Sequence, residues 1–187
     1  MKKVLFMVVL AGGAAAVFSQ QRNNDAYDVI KNNMSVSKFV AGSINEADVE
    51  QILAAGIAAP SARNGQPWKF VVVRTAALLP STINDKTIPN GNIAIIVYTA
   101  GDGTNPATIL DCGLAVENLH LAAQALGYGS RIYTGTAAAI NRAKQDYGIP
   151  SNSSAVAVVR VGKITSRADA VSSASTRKSS RDLVIYK

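Results

Sequence analysis

Three short runs of β-branched and apolar residues, Phe70-Val71-Val72-Val73, Ile93 to Tyr98 and Ala155 to Val161, surround one longer segment, Asp111 to Leu126. Each run is too short for a helix and too uniformly apolar for a strand with one wet face, so each predicts a buried strand. In the longer segment Leu114, Leu119, Leu121, Ala122, Ala125 and Leu126 cover most of a helical circumference, which predicts a helix packed on nearly every side. Helices interspersed with a few strands define an α+β class, one sheet flanked by helices. With 187 residues the chain suffices for one domain of ordinary size.

The remaining pattern fits around that frame. Asn24 caps a short helix carrying Ala26, Tyr27, Val29 and Ile30, which gives way near Asn32 and Asn33. Asn45, with Glu46 and Asp48 in the first turn, opens an amphipathic helix through Val49, Ile52, Leu53, Gly56 and Ile57 that Pro60 stops. Gly127 and Gly129 end the central helix, Arg131-Ile132-Tyr133 is extended, and Thr136 caps a helix reaching about Tyr147. The Ser/Ala-rich stretch Ala168 to Ser180 reads as an extended, flexible connection. On the central helix Glu117, His120 and Gln124 form a polar stripe open to solvent, a partner or a polar site, and Cys112 reads as a core thiol.

Lys2 and Lys3 followed by the apolar run Val4 to Val17 predict a signal peptide over residues 1–20 and a mature domain over 21–187. The run breaks into Gln20, Gln21 and Arg22 before the roughly 20 apolar residues that span a bilayer, so no stable membrane insertion is expected after its removal. No twin arginine is present, which favours export as an unfolded chain into a periplasmic or other extracytoplasmic space, with any cofactor acquired there. Without Lys2 and Lys3 the chain carries 17 basic and 12 acidic residues, scattered until Arg177, Lys178 and Arg181. That distribution argues against the basic stripe of a nucleic-acid binder, a third reading that only the basic charge balance favours. One cysteine and one histidine exclude an internal disulfide and a His-rich zinc site. Gly127-Tyr128-Gly129-Ser130 follows a helix and lacks the third glycine of a dinucleotide fingerprint. With no nucleophile elbow, Walker loop or carboxylate pair, a bound cofactor should carry any difficult chemistry.

The segment Ala59-Pro60-Ser61-Ala62-Arg63-Asn64-Gly65-Gln66-Pro67-Trp68-Lys69-Phe70 joins a helix to a buried strand through a polar turn. It resembles the nitroreductase family's Pro-Ser-x-x-Asn-x-Gln-Pro-Trp-x-Phe stretch, which lies against the ring of flavin mononucleotide (FMN). The central helix and the Tyr147-Gly148-Ile149-Pro150 turn are similar to later parts of the family, and the likeness covers essentially the whole mature chain. The resemblance implies a nitroreductase-like fold with a mostly antiparallel central sheet, an intertwined homodimer with flavin sites at the subunit interface, and a C-terminal arm, Leu183 to Tyr186, reaching the partner. It also implies an FMN-dependent oxidoreductase working in two half-reactions, with no side chain as nucleophile and a small-molecule acceptor such as a nitroaromatic or a quinone. Pro60, Ser61, Ala62, Asn64 and Gln66 are the residues expected against the ring, with a glycine-containing loop near Tyr133-Thr134-Gly135 beside it.

The phosphate end departs from the pattern. Where the family carries Arg-x-Ser-x-Arg (or Lys), this chain reads Asn33-Met34-Ser35-Val36-Ser37, and Lys38 stands one position on. Each charge-assisted hydrogen bond lost is worth roughly 1.5–3 kcal/mol. Asn33, Ser35 and Ser37 nevertheless occupy the cofactor-binding positions, and Lys178 and Arg181 resemble the family's C-terminal phosphate ligands. Two readings therefore stand: an exported FMN enzyme whose donor, NAD(P)H or another, is open because nicotinamide is a cytoplasmic currency; or a flavin-free or weakly flavin-binding dimer that takes another planar ligand.

Overall fold

The computed structural model describes residues 24–101 and 103–187; the leader expected over residues 1–20 lies outside them. In chain order the elements are α1 (Asn24–Lys31), α2 (Glu46–Ile57), β1 (Trp68–Val73), α3 (Leu79–Ile83), β2 (Ile93–Ala100), α4 (Pro106–Ala125), β3 (Gly129–Tyr133), α5 (Ala137–Arg142), β4 (Ser153–Gly162) and α6 (Arg167–Ala170). Among the described residues the sheet has four strands in the order β1-β2-β4-β3, each pair antiparallel. The α+β expectation holds.

Both faces of the sheet are covered, which is why its strands are apolar without alternation. Ile93, Ile95, Val97, Val159 and Val161 point into one core with Val49, Ile52, Trp68 and the α4 residues Cys112, Ala115 and Leu119. Ala94, Ile96, Val158 and Val73 point into a second core with Leu79 and Ile83 of α3 and with Ile140, Tyr147 and Ile149. A register shift at Val97/Tyr98 places Val156 as an extra residue on β4, and the burial of β4 stays almost unbroken across it.

Helix α2 starts as its sequence demands, with the Asn45 side chain accepting from the Ala47 N–H at 2.9 Å. It crosses α4 at Gly56, where a Cβ would come within 2.7 Å of a Leu119 methyl carbon; only the missing side chain permits that approach. Helix α4 begins earlier than expected. Asn105 accepts from the N–H groups of Ala107 and Thr108 and Pro106 follows at the first helical position, so the helix runs 20 residues. Nor is it covered all round: Leu110 is 65% exposed and Leu114 36%.

Two further expectations are corrected. Thr136 makes no side-chain cap, and the helix after it stops at Arg142; residues 144–147 form a separate tight turn. The break turns Tyr147 into the second core, where its hydroxyl meets Ser81 and Thr82 at 3.2 and 3.3 Å. The Ser/Ala-rich stretch is not a free connection either. Ser37 N–H donates to the Ala170 carbonyl, Ser172 N–H donates to the Ser35 carbonyl, and Val36 bridges Val171, so the tail lies alongside residues 35–37. Backbone pairing needs no apolar side chains, which is why the composition hid it.

Candidate functional site

The polar turn after α2 is held in an uncommon backbone shape. Arg63, Asn64 and Gln66 have φ of 54°, 55° and 44°. For side chains other than glycine the left-handed region costs on the order of 1–3 kcal/mol each, less for asparagine, and persists only where neighbours over-determine it. Here they do. Ser61 Oγ accepts from the Gln66 N–H at 3.0 Å, the Ser61 carbonyl accepts from Asn64 N–H at 3.0 Å, and Gln66 Nε2 donates to Asn64 Oδ1 at 3.1 Å. From α4, Asp111 reaches across to accept the Ala62 N–H at 3.0 Å while only 7% exposed. The far end of the motif is an anchor: Trp68 is buried in the first core and Phe70 packs against it. The result is a rigid loop that presents Asn64 and Gln66 outward, with Pro60 and Ala62 exposed and Ser61 half-buried.

A second group lies elsewhere. Asn33, Ser35, Glu117, His120, Ile132 and Arg177 line a cavity of about 380 Å³. Ser35 is fixed by the tail, its N–H donating to Ser175 Oγ at 2.8 Å; Arg177 then donates to the Ser175 carbonyl at 2.7 Å and to Asn33 Oδ1 at 3.3 Å. Arg177, which the sequence shows only as part of a basic group and not as a phosphate ligand, is thus the cation that the structure brings to the Asn33/Ser35 element. Lys178 and Arg181 are exposed and do not line this cavity, and Ser37 turns its backbone and hydroxyl toward Ala170.

Behind His120, which lines this cavity, runs a buried chain of hydrogen bonds. Gln124 Oε1 accepts from Met34 N–H and its Nε2 donates to the Met34 carbonyl, both at 3.0 Å, which fixes the amide's orientation. The same Nε2 lies 2.7 Å from His120 Nε2, so that ring nitrogen must be the acceptor, and His120 Nδ1 carries the proton donated to Ser130 Oγ at 2.8 Å. Burial, reinforced by the Arg177 charge, lowers the His120 pKa to about 4 and keeps the ring neutral. Burial raises the Glu117 pKa, against the opposing pull of Arg177.

The two groups do not meet within one chain. Asp111 and His120 are nine residues apart on α4, which is roughly 13.5 Å along the axis and about half a revolution around it. The loop and the cavity therefore sit on opposite sides of the same helix. Near Tyr133, Thr136 Oγ1 is buried with no hydrogen-bond partner among the described residues. Among those residues no cluster of His, Cys, Asp or Glu could hold a metal ion, and no helix is long and apolar enough to cross a membrane.

Such a site positions and polarises a bound group; nothing in it pairs a nucleophile with a base. The comparisons with known proteins give that class its family. The model described as "Nitroreductase family" matches residues 30–89 and 80–163. A relative from Archaeoglobus fulgidus named "Putative NADH dehydrogenase/NAD(P)H nitroreductase" is 34% identical over 144 residues, 72% of this chain and 82% of its own. Among solved structures, a nitroreductase with bound FMN from Desulfitobacterium hafniense covers 88% of this chain and 98% of its own at 20% identity, with a TM-score of 0.71. Another with bound FMN, from Bacteroides fragilis, covers 86% and 98% at 21% identity, TM-score 0.70. The chain belongs to the nitroreductase family, and it is an oxidoreductase of that family.

Proposed function

We propose that the mature chain is an exported FMN-dependent oxidoreductase that works as a homodimer and passes electrons from a reduced donor to a nitroaromatic or quinone-like acceptor. The observation that carries this reading is the strained loop at residues 61–66, pinned by Asp111, its backbone N–H groups at Ala62, Asn64 and Gln66 already satisfied and the polar side chains of Asn64 and Gln66 exposed. Strain of that kind, over-determined by neighbours, suits a surface built for a ligand.

The residues present fit the cofactor. Ser61, Asn64 and Gln66 match the polar edge of a flavin ring in hydrogen-bonding character. Arg177, beside Ser35 and Asn33, supplies a guanidinium for the phosphate in place of the cations missing at Asn33 and Ser37. Bound FMN supplies the chemistry of accepting a hydride and delivering two electrons. The chain's part is to bind, to orient and to keep His120 neutral, so that Gln124 holds Met34 and the Ser35 segment in place.

Two copies complete the arrangement. Because the loop and the cavity lie on opposite sides of α4, a ligand touching both needs the loop of one copy and the cavity of the other. Exposed Leu110, Leu114 and Ile57, and the tail Leu183, Val184, Ile185 and Tyr186 with Ile185 84% exposed, provide apolar surface for that contact. The leader of residues 1–20 supports export. NAD(P)H, which the name of the Archaeoglobus relative mentions, remains one candidate donor; outside the cytoplasm a different reductant would replace it.

Asn33 and Ser37 favour the second reading, a dimer with weak or no flavin that takes another planar ligand. The deciding experiment purifies the mature chain, records its visible spectrum, titrates FMN by fluorescence quenching and measures molar mass by light scattering. A yellow dimer, or a colourless dimer that quenches FMN, supports the enzyme; a colourless protein that leaves FMN fluorescence unchanged refutes it. Fractionation of cells carrying the full chain tests export: retention in the cytoplasm with residues 1–20 intact refutes it.

A further inference from the structure

The cavity beside Arg177 holds one opposing charge that the flavin reading leaves without a role. Glu117 lines it together with Arg177, and His120, one turn along α4, lines it as a neutral ring. Ser35 and Asn33 contribute polar groups without charge, and Ile132 closes the side formed by β3. The lining thus contains one guanidinium and one carboxylate; burial raises the Glu117 pKa, and the nearby Arg177 charge opposes part of that rise. A phosphate monoester arriving here brings between one and two negative charges near neutral pH, and it meets a cation already facing an anion.

We propose that Glu117 sets flavin specificity by opposing the phosphate dianion, so that this chain discriminates little between FMN and its uncharged counterpart, riboflavin. The inference rests on the flavin reading and adds which flavin the site prefers. Its physical basis is a difference of affinities: the ring contacts are common to both ligands, and only the phosphate end feels the carboxylate. Arg177 attracts that end and Glu117 repels it, so the two contributions largely cancel. A neutral amide at position 117 keeps the shape and removes the repulsion. In a partly solvated cavity, one unit charge beside a phosphate changes affinity by about tenfold at moderate ionic strength. Other titrating or charged groups facing the cavity are His120, held neutral well above its pKa of about 4, and Arg177 itself, charged throughout, so Glu117 is the group whose replacement alters the balance.

The test measures dissociation constants for FMN and riboflavin by fluorescence quenching at pH 7.5 and low salt, for the native mature protein and for Glu117→Gln. Circular dichroism and a thermal melt accompany each, and because Glu117 is exposed the variant should fold normally. The expected result is native affinities within a few-fold of each other, an approximately tenfold gain for FMN in Glu117→Gln with riboflavin unchanged, and a steeper loss of FMN affinity with added salt in the variant. A native preference for FMN of a hundredfold or more overturns the proposal, as does a variant whose two affinities are unchanged or shift together. If neither flavin is quenched by either protein, the flavin reading itself fails and this inference falls with it. Riboflavin binding by the native protein sustains that reading whatever Glu117→Gln does to FMN.

Discussion

Lowering the pH should loosen this molecule through a single buried ring. His120 is 5% exposed and its Nε2 accepts from Gln124, so adding a proton sets two donors face to face at 2.7 Å inside the packed wall of α4. Its pKa falls from an ordinary 6.5 to about 4 in the folded chain, with burial the main cause and Arg177 the second. The sign follows from proton counting. Between these two values the unfolded chain binds the proton and the folded chain does not, so stability grows with pH across that window and is lost as pH falls through it. A displacement of about 2.5 pH units corresponds to roughly 3 kcal/mol in full, or about 1.4 kcal/mol for each unit of pH.

The assay is urea unfolding of the native protein and of His120→Gln at several values between pH 7.5 and 4.5. Carboxylates contribute to the acid response of both proteins and cancel in the comparison. At pH 7.5 the variant should be less stable by about 1–3 kcal/mol, because Ser130 and Gln124 lose a partner of the right shape. The gap should then narrow by about 2 kcal/mol at pH 4.5, since only the native protein has a ring to protonate. Parallel curves, with the gap constant across the window, would refute the assignment of His120 as the neutral acceptor in this chain of bonds.

Three other substitutions test the frame around the site. Gly56→Val forces a Cβ into Leu119 and Phe70 where α2 crosses α4, and should lower the unfolding free energy by about 1–3 kcal/mol in the same urea assay; an unchanged midpoint would show that the helices simply move apart. Asp111→Ala removes the acceptor of the Ala62 N–H and should cost about 1–3 kcal/mol and weaken FMN binding, while Asp111→Asn, which retains an acceptor oxygen, should restore most of both; equal losses in the two variants would exclude a hydrogen-bonding role. Arg160, 3% exposed, donates to Asn92 and Asp85 and stacks 4.0 Å from the centroid of the Phe39 ring, so Arg160→Met should destabilise by about 2–4 kcal/mol, read as a fall in thermal midpoint. A midpoint within a degree or two of native would mean that Asn92 and Asp85 find water without penalty.

Much of the fold was legible because its signals are redundant. The runs in β2 and β4 are buried on both faces and the one in edge strand β1 is half-buried, yet all three are too short and too β-branched for anything local to compete with the strand reading. The start of α4 was missed: Asn105 followed by Pro106, a cap residue and a ring pre-set for the first helical position, marks it, but the apolar period that places the helix from Asp111 begins only after that turn. Helix α3 carried too little, five residues with a proline, to rise above the surrounding loop. The tail was illegible for a different reason: it docks through its backbone onto Ser35 and Ser37, and serine-rich composition says nothing about backbone partners.

The site divides along the same line. The loop at residues 61–66 was legible as a motif, yet its strain and its peg were not, because a lone carboxylate at Asp111 carries no mark of the N–H it accepts from 49 residues away. The stripe Glu117, His120 and Gln124 was visible as polar positions three and four apart, and folding divided it into a buried pair, His120 with Gln124, and one carboxylate left facing a cavity. Arg177 was hidden in a basic run where likeness pointed to its neighbours, since a difference of one residue in an extended tail reverses which side chain turns inward. What decides between these cations is the bond from Arg177 to Asn33: the same Asn33 that replaces a family cation is the residue that recruits another one from the far end of the chain.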